Sequence, residues 1–554
     1  MLRVAHLAVA LSLTVALLPS AGSAQQPSSD FWKAAGDHGA VVAGSAEAAD
    51  AALEELQGGG NAVDAAVAAM LVLSVTDATN FCFGGEVPII VYDARRDVVE
   101  VISGQGAAPR LATVDYFKQH KNGRIPGGND PTTAAVPGAL DAYLTSLDRY
   151  GTMTFTELAQ PMLAILDRHK KDWHANLAKT VRRLVEAEKT STDDRRRGLR
   201  RVADCFYRGP IARDLDAWSR ANGGLIRYND LATHVTRIED PLSLEYRGRT
   251  VYKCGAWTQG PYLLQTLQLL EPFDLAAMGH NRTDYVHVLV EAMKLGLADR
   301  DAYYADPLFV DVPLQELFAP KYADLRRKLI DMKSASREQR PGDPRAGKAL
   351  LGKVPREYRP LSEPVHDTTN CIVADRFGNV VAATPSGWGG VLAGETGVTL
   401  NSRLRSFNTW PGHPNCIEPG KRPRITLTPS MVFERGKPVV AASVVGGDLQ
   451  DQVMLQILLN RIEFDFAPDK AVTAPRFSTA HHDGSFNQPP AKLGSLSIYE
   501  SAGTETIQKL KARGHDVTIA KPPMGYPVMI TIDPKTGRKQ AAGDPKARRH
   551  ARAY

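Results

Sequence analysis

The stretch His366-Asp367-Thr368-Thr369-Asn370 decides the interpretation of this chain of 554 residues. It stands directly before a β-rich run that carries an Asp-x-x-Gly-Asn turn. This pattern predicts a protein that cuts its own backbone and frees a threonine as a new chain terminus. A threonine hydroxyl is a weak nucleophile, but at a chain terminus the residue's own α-amine accepts the hydroxyl proton. The unperturbed pKa of that amine is about 7.7–8, so much of it is a free base near neutral pH.

Length and charge limit the classes of function that this chain can have. The chain exceeds one ordinary core, which allows one large domain or two packed lobes. A hydrophobic content of 43% and a charged content of 23% are ordinary for a globular enzyme. The net charge of +6 is small and sits in clusters at residues 195–201 and 546–552. Such clusters are more often a solvated helix face or an exposed tail than a polyanion site, so we expect no nucleic-acid partner.

Residues 1–24 have the pattern of an export signal. Arg3 gives a positive start, residues 4–18 form a short apolar run, and residues 21–24 are small. The apolar run is too short for a confident membrane span. We therefore expect a periplasmic or secreted mature protein that begins near residue 25 and has no membrane span.

Cysteine and histidine spacing indicates no metal site. The five cysteines are widely separated and form no Cys-x-x-Cys pair, and the histidines fall into no His-Glu-x-x-His pattern. An odd number of cysteines leaves at least one free thiol and room for one disulfide, whose partners the sequence does not select. We expect neither a metal nor an organic cofactor.

Secondary-structure signals change character across Thr368. Before it, the pattern predicts helices at residues 46–56, 62–75 and 284–301, with a strand hairpin at residues 87–92 and 98–103. An exposed loop at residues 334–363 leads to the cleavage site. After Thr368 the pattern predicts strands at residues 371–375, 380–384, 426–433 and 439–445, followed by a helix at residues 448–460. This order favours an α+β fold, a four-layer αββα sandwich, although periodicity alone leaves other α+β arrangements open.

A series of short motifs runs along nearly the whole mature chain. They lie at residues 59–66 (Gly-Gly-Asn-Ala-Val-Asp-Ala-Ala), 136–138 (Val-Pro-Gly), 246–252, 291–301, 306–307, 368–369, 429–430, 446–447 and 474–477 (Ala-Pro-Arg-Phe). Each is weak alone. In this number and order they resemble the γ-glutamyltransferase (glutathione hydrolase) family of N-terminal nucleophile hydrolases, with this chain as a divergent member.

The resemblance implies a self-processing enzyme. Cleavage before Thr368 would give a mainly helical large fragment, residues 25–367, and a small fragment, residues 368–554, which stay together as a heterodimer and form the αββα sandwich jointly. Thr368 would attack a small-molecule or peptide amide, form an acyl-enzyme ester and pass the acyl group to water or an amine. Gly446 and Gly447 match the glycines of the family's oxyanion hole, since two glycine N–H groups can closely approach a developing oxyanion.

Two supporting hydroxyls have competing interpretations. Thr369 matches the second threonine of the family junction, but it is equally an ordinary strand residue. Ser386 stands where the family has a threonine that hydrogen-bonds the nucleophile, but it is equally a turn serine. The pair Gly446-Gly447 would by itself be read as a strand-to-helix turn, and its place downstream of Thr368 favours the catalytic role.

The positions that would contact the acyl group depart from the family pattern. Gln105 replaces an arginine that holds the glutamate α-carboxylate, and Thr426, beside Ile425, replaces part of a serine pair. The asparagine that holds the α-amine falls near Trp388, while the acidic pair becomes Arg403 and Ser406. An arginine in place of a carboxylate would repel the substrate's ammonium, and removing one partner of a desolvated pair costs about 2–5 kcal/mol.

These departures predict an altered acyl specificity. We expect an amide whose acyl part is not an ordinary glutamyl group, and hydrolysis rather than transfer. The alternative is a true γ-glutamyltransferase or glutathione hydrolase with rebuilt glutamate contacts. A third hypothesis, an inactive exported binding protein with the same fold, is disfavoured by the presence of Thr368, Ser386 and the two glycines. An equal alternative for Arg403 is that it points to solvent or pairs internally.

Overall fold

The computed structural model describes residues 30–168, 171–191, 194–352, 368–387 and 389–554. The predicted export signal at residues 1–24, the cleavage-site residue Asp367 and the pocket residue Trp388 lie outside the described residues.

Seventeen strands occur in the described part of the chain. They are β1 Lys33–Gly36, β2 Ala40–Ala43, β3 Val87–Asp93, β4 Val98–Gly104, β5 Arg237–Glu239, β6 Leu242–Tyr246, β7 Arg249–Lys253, β8 Cys371–Ala374, β9 Val380–Ala383, β10 Ser430–Glu434, β11 Lys437–Val445, β12 Phe477–Ser478, β13 Ser495–Tyr499, β14 Asp516–Ala520, β15 Tyr526–Ile532, β16 Lys539–Gly543 and β17 His550–Ala553.

Eighteen α-helices occur in the same part of the chain. They are α1 Ala46–Gln57, α2 Ala62–Thr76, α3 Val114–His120, α4 Ala139–Tyr150, α5 Phe155–Leu158, α6 Gln160–Arg168, α7 Asp172–Lys189, α8 Arg195–Ala203, α9 Pro210–Ala221, α10 Tyr228–Ala232, α11 Pro261–Leu270, α12 Leu275–Met278, α13 Thr283–Tyr303, α14 Leu314–Leu317, α15 Pro320–Arg327, α16 Gln450–Ile462, α17 Pro468–Thr473 and α18 Thr504–Ala512.

Two seven-stranded sheets form the centre of the molecule. The first has the strand order β1-β16-β15-β11-β10-β7-β6, and the second has the order β17-β2-β8-β9-β3-β4-β5. All strand pairs within both sheets are antiparallel. Each large sheet contains strands from both sides of Thr368, so the two predicted fragments are interleaved within both sheets.

Three buried clusters define the four layers. One joins inward-facing residues of both sheets, such as Ile372 and Ile90 of the second sheet with Met431 and Ile530 of the first. A second packs α1, α2 and their neighbouring helices on the second sheet, and a third packs α11, α13 and α16 on the first. Each sheet therefore has one face against its partner and one against helices, which confirms the predicted αββα sandwich.

Local signals at the start of α2 tie it to the second sheet. The Asn61 side chain accepts from the N–H groups of Val63 and Asp64, and the Asp64 carboxylate accepts from the Asn61 N–H, which completes a capping box. Asp375, in the predicted Asp-x-x-Gly-Asn turn between β8 and β9, accepts from the Ala62 N–H at 2.9 Å. The helix is therefore anchored directly behind the strand that follows Thr368.

Two sequence expectations are corrected. Residues 426–429 do not continue a strand, since Ile425 makes only an isolated parallel bridge to Thr258 and β10 begins after Pro429. The basic cluster at residues 546–552 is not an exposed tail, because β17 pairs with β2 at the edge of the second sheet and Arg549 is buried. The other basic cluster does lie on α8, with its arginines mostly exposed.

All five cysteines lie within the described residues, and each is a free thiol. No helix among the described residues has the length and apolar character needed to cross a membrane.

Candidate active site

Thr368 is fully buried between the two sheets, just before β8. Its N–H donates to the Asn80 carbonyl oxygen at 3.1 Å, and the N–H of Thr369 donates to the Pro385 carbonyl at 2.8 Å. The φ angle of Thr368 is +97°. A β-branched residue rarely adopts this backbone region, so the conformation costs about 1–3 kcal/mol. The strain lies at the predicted cleavage point.

Buried polar side chains near Thr368 connect the two sheets. Asn370 Nδ2 donates to Ser443 Oγ of β11 at 3.1 Å, and Ser443 Oγ is 2.9 Å from Thr384 Oγ1 at the end of β9. All three side chains are fully buried. This chain of contacts fixes the start of β8 against β11, the strand that leads to the glycine pair.

The Gln450 side chain contacts the nucleophile candidate directly. Its amide group lies 3.4 Å from Thr368 Oγ1 and 3.4 Å from Thr426 Oγ1. The amide orientation that satisfies its neighbours directs the NH2 group at the carbonyl oxygens of Val444 and Thr426, each 3.0 Å away. Gln450 Oε1 then faces both hydroxyls. Thr368 and the predicted substrate-binding residue Thr426 therefore both contact the side-chain amide of Gln450.

Gly446 and Gly447 form the turn between β11 and α16. Their φ angles are +136° and +56°, so the turn uses backbone regions that favour glycine. The N–H groups at the start of a helical segment have no partner within the helix, and the helix dipole favours negative charge there. The turn, which ends three residues before Gln450, thus offers backbone donors of the kind that an oxyanion hole requires.

Charged and polar side chains form hydrogen bonds around this turn. Asp448 accepts from Arg300 Nη1 at 2.5 Å and from Ser485 through both its Oγ and its N–H. Burial raises the pKa of Asp448, but the Arg300 guanidinium and the hydrogen bonds outweigh this effect and hold the pKa well below its usual range. Arg300 also donates to Gln259, whose Nε2 lies 3.4 Å from the Gly447 carbonyl oxygen.

Ser386 is joined to an internal ion pair. Its Oγ accepts from Arg403 Nη2 at 2.7 Å, and Arg403 Nε pairs with the Glu86 carboxylate. The backbones of Glu86 and Ser386 exchange two hydrogen bonds of 2.8 and 2.9 Å. The side chains of Arg403 and Glu86 are each 1% exposed. Arg403 is therefore paired inside the protein, which is one of the alternatives that the sequence analysis left open for it.

The remaining predicted acyl-pocket residues surround residues 415–424. Gln105 Nε2 donates to the Pro423 carbonyl oxygen at 2.5 Å, and the Asn415 side chain bridges the Ser406 carbonyl and the Arg424 N–H. Gln105 Oε1 and Ser406 Oγ are buried without a hydrogen-bond partner among the described residues. Two buried polar atoms of the predicted acyl positions thus have no partner in the described part of the chain.

Arg424, also near this segment, is held by other parts of the protein. It donates to the Arg300 carbonyl oxygen at 3.1 Å and to Asp301 at 3.3 Å. Burial, followed by repulsion from Arg300, lowers the pKa of Arg424 to about 10. It remains a cation at neutral pH, with Asp301 as its counter-ion.

The structure thus places Thr368, Thr369, Ser386, Gly446, Gly447, Arg403 and Thr426 around the junction of the two sheets. Among the described residues, no group of three or more His, Cys, Asp or Glu side chains has metal-binding geometry. Sequence reasoning missed Glu86, Gln450, Asp448, Arg300 and Gln259. Glu86 directly follows the Gly84-Gly85 turn, a signal that could have marked it as a site residue.

Two facing sheets between helical layers, with a buried threonine at the start of an inner strand, define the N-terminal nucleophile hydrolase fold class. The sequence model described as Gamma-glutamyltranspeptidase matches residues 48–168 and 173–554. The chain belongs to this family and, as predicted, is an enzyme of the hydrolase and acyltransferase kind.

Known relatives agree with this assignment. The "Glutathione hydrolase proenzyme" of Bacillus subtilis (strain 168) is 28% identical over 92% of this chain and 90% of its own length. The "Acylase ACY 1 proenzyme" of Pseudomonas sp. (strain V22) is 31% identical over 87% of this chain and 88% of its own length. The solved cephalosporin acylase of Bacillus halodurans has the same fold, with a TM-score of 0.80 at 24% identity over 97% of this chain and 99% of its own.

Proposed function

We propose that this protein is a self-processing threonine amidohydrolase whose acyl specificity differs from γ-glutamyl. The precursor cleaves between Asp367 and Thr368, and the fragments 25–367 and 368–554 remain associated. The pairing of Arg403 with Glu86 and Ser386, where a γ-glutamyl enzyme would present a carboxylate, carries the specificity part of this proposal. The nucleophile part is supported by the burial of Thr368 and by its contact with Gln450, which follows the Gly446-Gly447 turn by three residues.

Strain at Thr368 supports the processing step. Its φ angle of +97° raises the energy of the uncut chain, and cleavage releases this constraint because a terminal residue has no preceding carbonyl. In the cut, Thr368 Oγ1 attacks the Asp367 carbonyl carbon, the ester that forms replaces the peptide bond, and water hydrolyses that ester. The products are a carboxylate at Asp367 and a free α-amine at Thr368.

The same atoms then act on a substrate amide. Thr368 Oγ1 attacks the amide carbonyl while its α-amine takes the hydroxyl proton. The N–H groups of the Gly446-Gly447 turn stabilise the oxyanion, the C–N bond breaks, and the leaving amine receives the proton. Water then attacks the acyl ester and releases the carboxylic acid. Thr368 and the two glycines lie in the same fragment, and the interleaving of the two fragments within both sheets keeps the large fragment attached to it after cleavage.

Electrostatics at Arg403 disfavour a substrate ammonium. The guanidinium donates to Ser386 and pairs with Glu86, so the Glu86 charge is already balanced inside the protein. An added cation beside Arg403 would be desolvated without a carboxylate to receive it. A mismatch of about 2 kcal/mol, the lower end of the cost of an unpaired desolvated charge, corresponds to about 30-fold in kcat/KM.

The second candidate is a true γ-glutamyltransferase or glutathione hydrolase with rebuilt contacts. The unpartnered, buried Gln105 Oε1 and Ser406 Oγ favour it, since both atoms can accept hydrogen bonds from an ammonium group. On this alternative the two acceptors, rather than an acidic pair, would hold the substrate α-amine.

Export to the periplasm or the medium is part of the proposal. It rests on the signal-like pattern of residues 1–24 and on relatives that are made as proenzymes.

Two anilides that share one leaving group test the acyl assignment. Glutaryl-4-nitroanilide differs from γ-glutamyl-4-nitroanilide only by the α-amine. We expect the processed protein to hydrolyse the glutaryl compound with a kcat/KM at least about 30-fold higher. Release of nitroaniline must also disappear in Thr368→Ala. Equal or faster hydrolysis of the γ-glutamyl compound would establish the alternative instead.

A further inference from the structure

The hydrogen-bond partner of the Thr368 hydroxyl is not the residue that the family resemblance predicts. Within the described ranges, the side chain that hydrogen-bonds to Thr368 Oγ1 is Gln450, whose amide group lies 3.4 Å away. Ser386, the predicted partner, forms no hydrogen bond with Thr368 in this part of the chain, and its Oγ accepts from Arg403 Nη2 at 2.7 Å. A glutamine therefore makes the contact that was expected of a hydroxyl.

The Gln450 amide is fixed from two sides. Gln450 is the first residue of α16, and its side chain is buried. Its NH2 group donates to the carbonyl oxygens of Val444 and Thr426, each 3.0 Å away. A carboxamide has two N–H donors, so these two bonds use both of them and prevent the amide from turning. Gln450 Oε1 is thereby directed at the hydroxyls of Thr368 and Thr426.

An acceptor oxygen at this place sets the direction of the Thr368 O–H bond. A hydroxyl has one proton and two lone pairs, so a proton directed at Gln450 leaves the lone pairs facing the other way. The contact of 3.4 Å is longer than the usual ~2.7–2.8 Å of an O–H···O bond, and catalytic hydrogen bonds are often long before a substrate binds. A carboxamide does not accept a proton near neutral pH. Gln450 thus orients the hydroxyl, while the α-amine of the processed chain takes its proton.

The same amide brackets the glycine turn. Val444 lies two residues before Gly446, and Gln450 lies three residues after Gly447. The bond from Gln450 to the Val444 carbonyl therefore closes the chain segment that carries the oxyanion-hole candidates. Because one side chain contacts both this segment and the nucleophile candidate, a change at Gln450 alters the position of the attacking oxygen relative to the N–H donors. A displacement of about 1 Å can lower a rate by about 10²-fold.

We propose that Gln450 is the positioning residue for the Thr368 hydroxyl, in self-cleavage as well as in turnover of a substrate. It has the role that the family resemblance gives to Ser386. This role rests on the proposed function, since it takes Thr368 as the nucleophile.

Pulse-chase labelling of cells that express the full chain measures the self-cleavage step. Gln450→Met keeps a similar volume but has no acceptor oxygen, and the time needed to cut half of the labelled chain should lengthen at least about tenfold. Gln450→Glu keeps an acceptor oxygen in either protonation state and should be cut faster than Gln450→Met. Ser386→Ala should slow the cut less than Gln450→Met does.

Turnover by the cut protein gives a second readout. For whichever anilide the parent hydrolyses, Gln450→Met should have a kcat at least about tenfold lower and a KM within about threefold of the parental value. The reason is that the orientation of the hydroxyl matters in the transition state and not in substrate binding.

Gln456→Met is the matched control for lost structure. Gln456 is a buried glutamine of the same helix, and its amide bonds to the Gln452 carbonyl oxygen at 2.9 Å and to both backbone groups of Phe477. Its loss should lower the Tm in calorimetry about as much as Gln450→Met does, while the cutting time and kcat stay those of the parent.

Four results would each overturn the role of Gln450. They are a Gln450→Met chain cut at the parental rate, a Gln450→Glu chain cut no faster than Gln450→Met, a Gln456→Met chain slowed as much as Gln450→Met, and a Ser386→Ala chain slowed more. If the parent is cut before Thr368 and Thr368→Ala stays whole, such a result refutes this role alone. A parent that stays uncut, or a Thr368→Ala chain that is cut like the parent, refutes the proposed function instead.

Discussion

Replacing Arg403 by methionine should destabilise the protein strongly. The side chains of Arg403 and Glu86 are each 1% exposed, so the change leaves the Glu86 carboxylate in the interior without its guanidinium partner. Removing one partner of a buried ion pair costs about 3–5 kcal/mol. A chain of this length has an unfolding entropy of about 1.1 kcal/mol/K, so the apparent Tm should fall by about 3–5 °C.

Scanning calorimetry in the Thr368→Ala background measures this effect on an uncut chain. The matched control is Arg208→Met, which removes a comparable ion pair of 2.9 Å with Asp204 at the exposed surface. An exposed pair contributes about 0–1 kcal/mol, so the control should lower the Tm by at most about 1 °C.

A double variant separates the pair from general damage. Glu86→Gln/Arg403→Met removes both charges and should be less destabilised than the sum of the two single changes. Strictly additive losses, or an Arg403→Met variant within 1 °C of its background, would show that Arg403 is not the counter-ion of Glu86. Arg403 would then no longer disfavour a substrate ammonium.

Three further predictions concern buried charge, pH and the glycine turn. Lys253→Met should cost about 3–5 kcal/mol in calorimetry, because Lys253 and Asp451 are fully buried 2.7 Å apart and the Asp451 carboxylate would lose its cation. Burial lowers the pKa of His515 to about 3, whereas its pKa in the unfolded chain is about 6.5. Between these two pH values the unfolded chain binds more protons than the folded protein. The free energy of unfolding therefore falls as the pH drops through this range. The loss attributable to His515 is about 1–2 kcal/mol between pH 6.5 and 5, and a Tm series should show a shallower slope for His515→Gln; an unchanged slope would contradict this assignment. Gly446→Ala places a side chain at a φ of +136° and should lower kcat about 10²–10³-fold on whichever anilide the parent hydrolyses. The control is Gly503→Ala, which has a φ of +93° and open space around it. This variant should not change kcat.

Regular elements were predictable where local patterns decide them. The hairpin predicted at residues 87–92 and 98–103 is β3 Val87–Asp93 with β4 Val98–Gly104, paired in antiparallel register. The helix predicted at residues 284–301 is α13, longer by a residue at its start and by two at its end. A short apolar run bounded by turn residues predicts the strand β3, and apolar residues at helical intervals predict the helix α13.

Partners distant in sequence were not predictable from these patterns. The interaction of Arg403 with Glu86 depends on the isolated bridge between the Glu86 and Ser386 backbones, which forms only when the sheet assembles. The basic run near the C-terminus was expected to be an exposed tail. Its many charged residues obscure the strand pattern of β17 in the sequence. The strand is stabilised by pairing with β2, and Arg549 is buried beside Asp77, contacts that composition cannot indicate.

The Gly446-Gly447 turn and its neighbours were predictable only in part. The glycine pair and Thr368 were identified by their resemblance to a family pattern, and the structure brings them to one junction of the two sheets. Gln450 and Asp448 were missed because a glutamine and an aspartate after a glycine pair are ordinary helix-start residues. Their contacts with Thr368 and Arg300 arise from how α16 is packed.

Mass spectrometry of the purified protein tests whether Thr368 cuts the chain and becomes its new terminus. We expect two chains in the parent, with the smaller beginning at Thr368, and one uncut chain in Thr368→Ala. The same two fragments in Thr368→Ala, or a small chain that begins at another residue, would contradict the assignment of Thr368 as the residue that cuts the chain and then serves as its nucleophile.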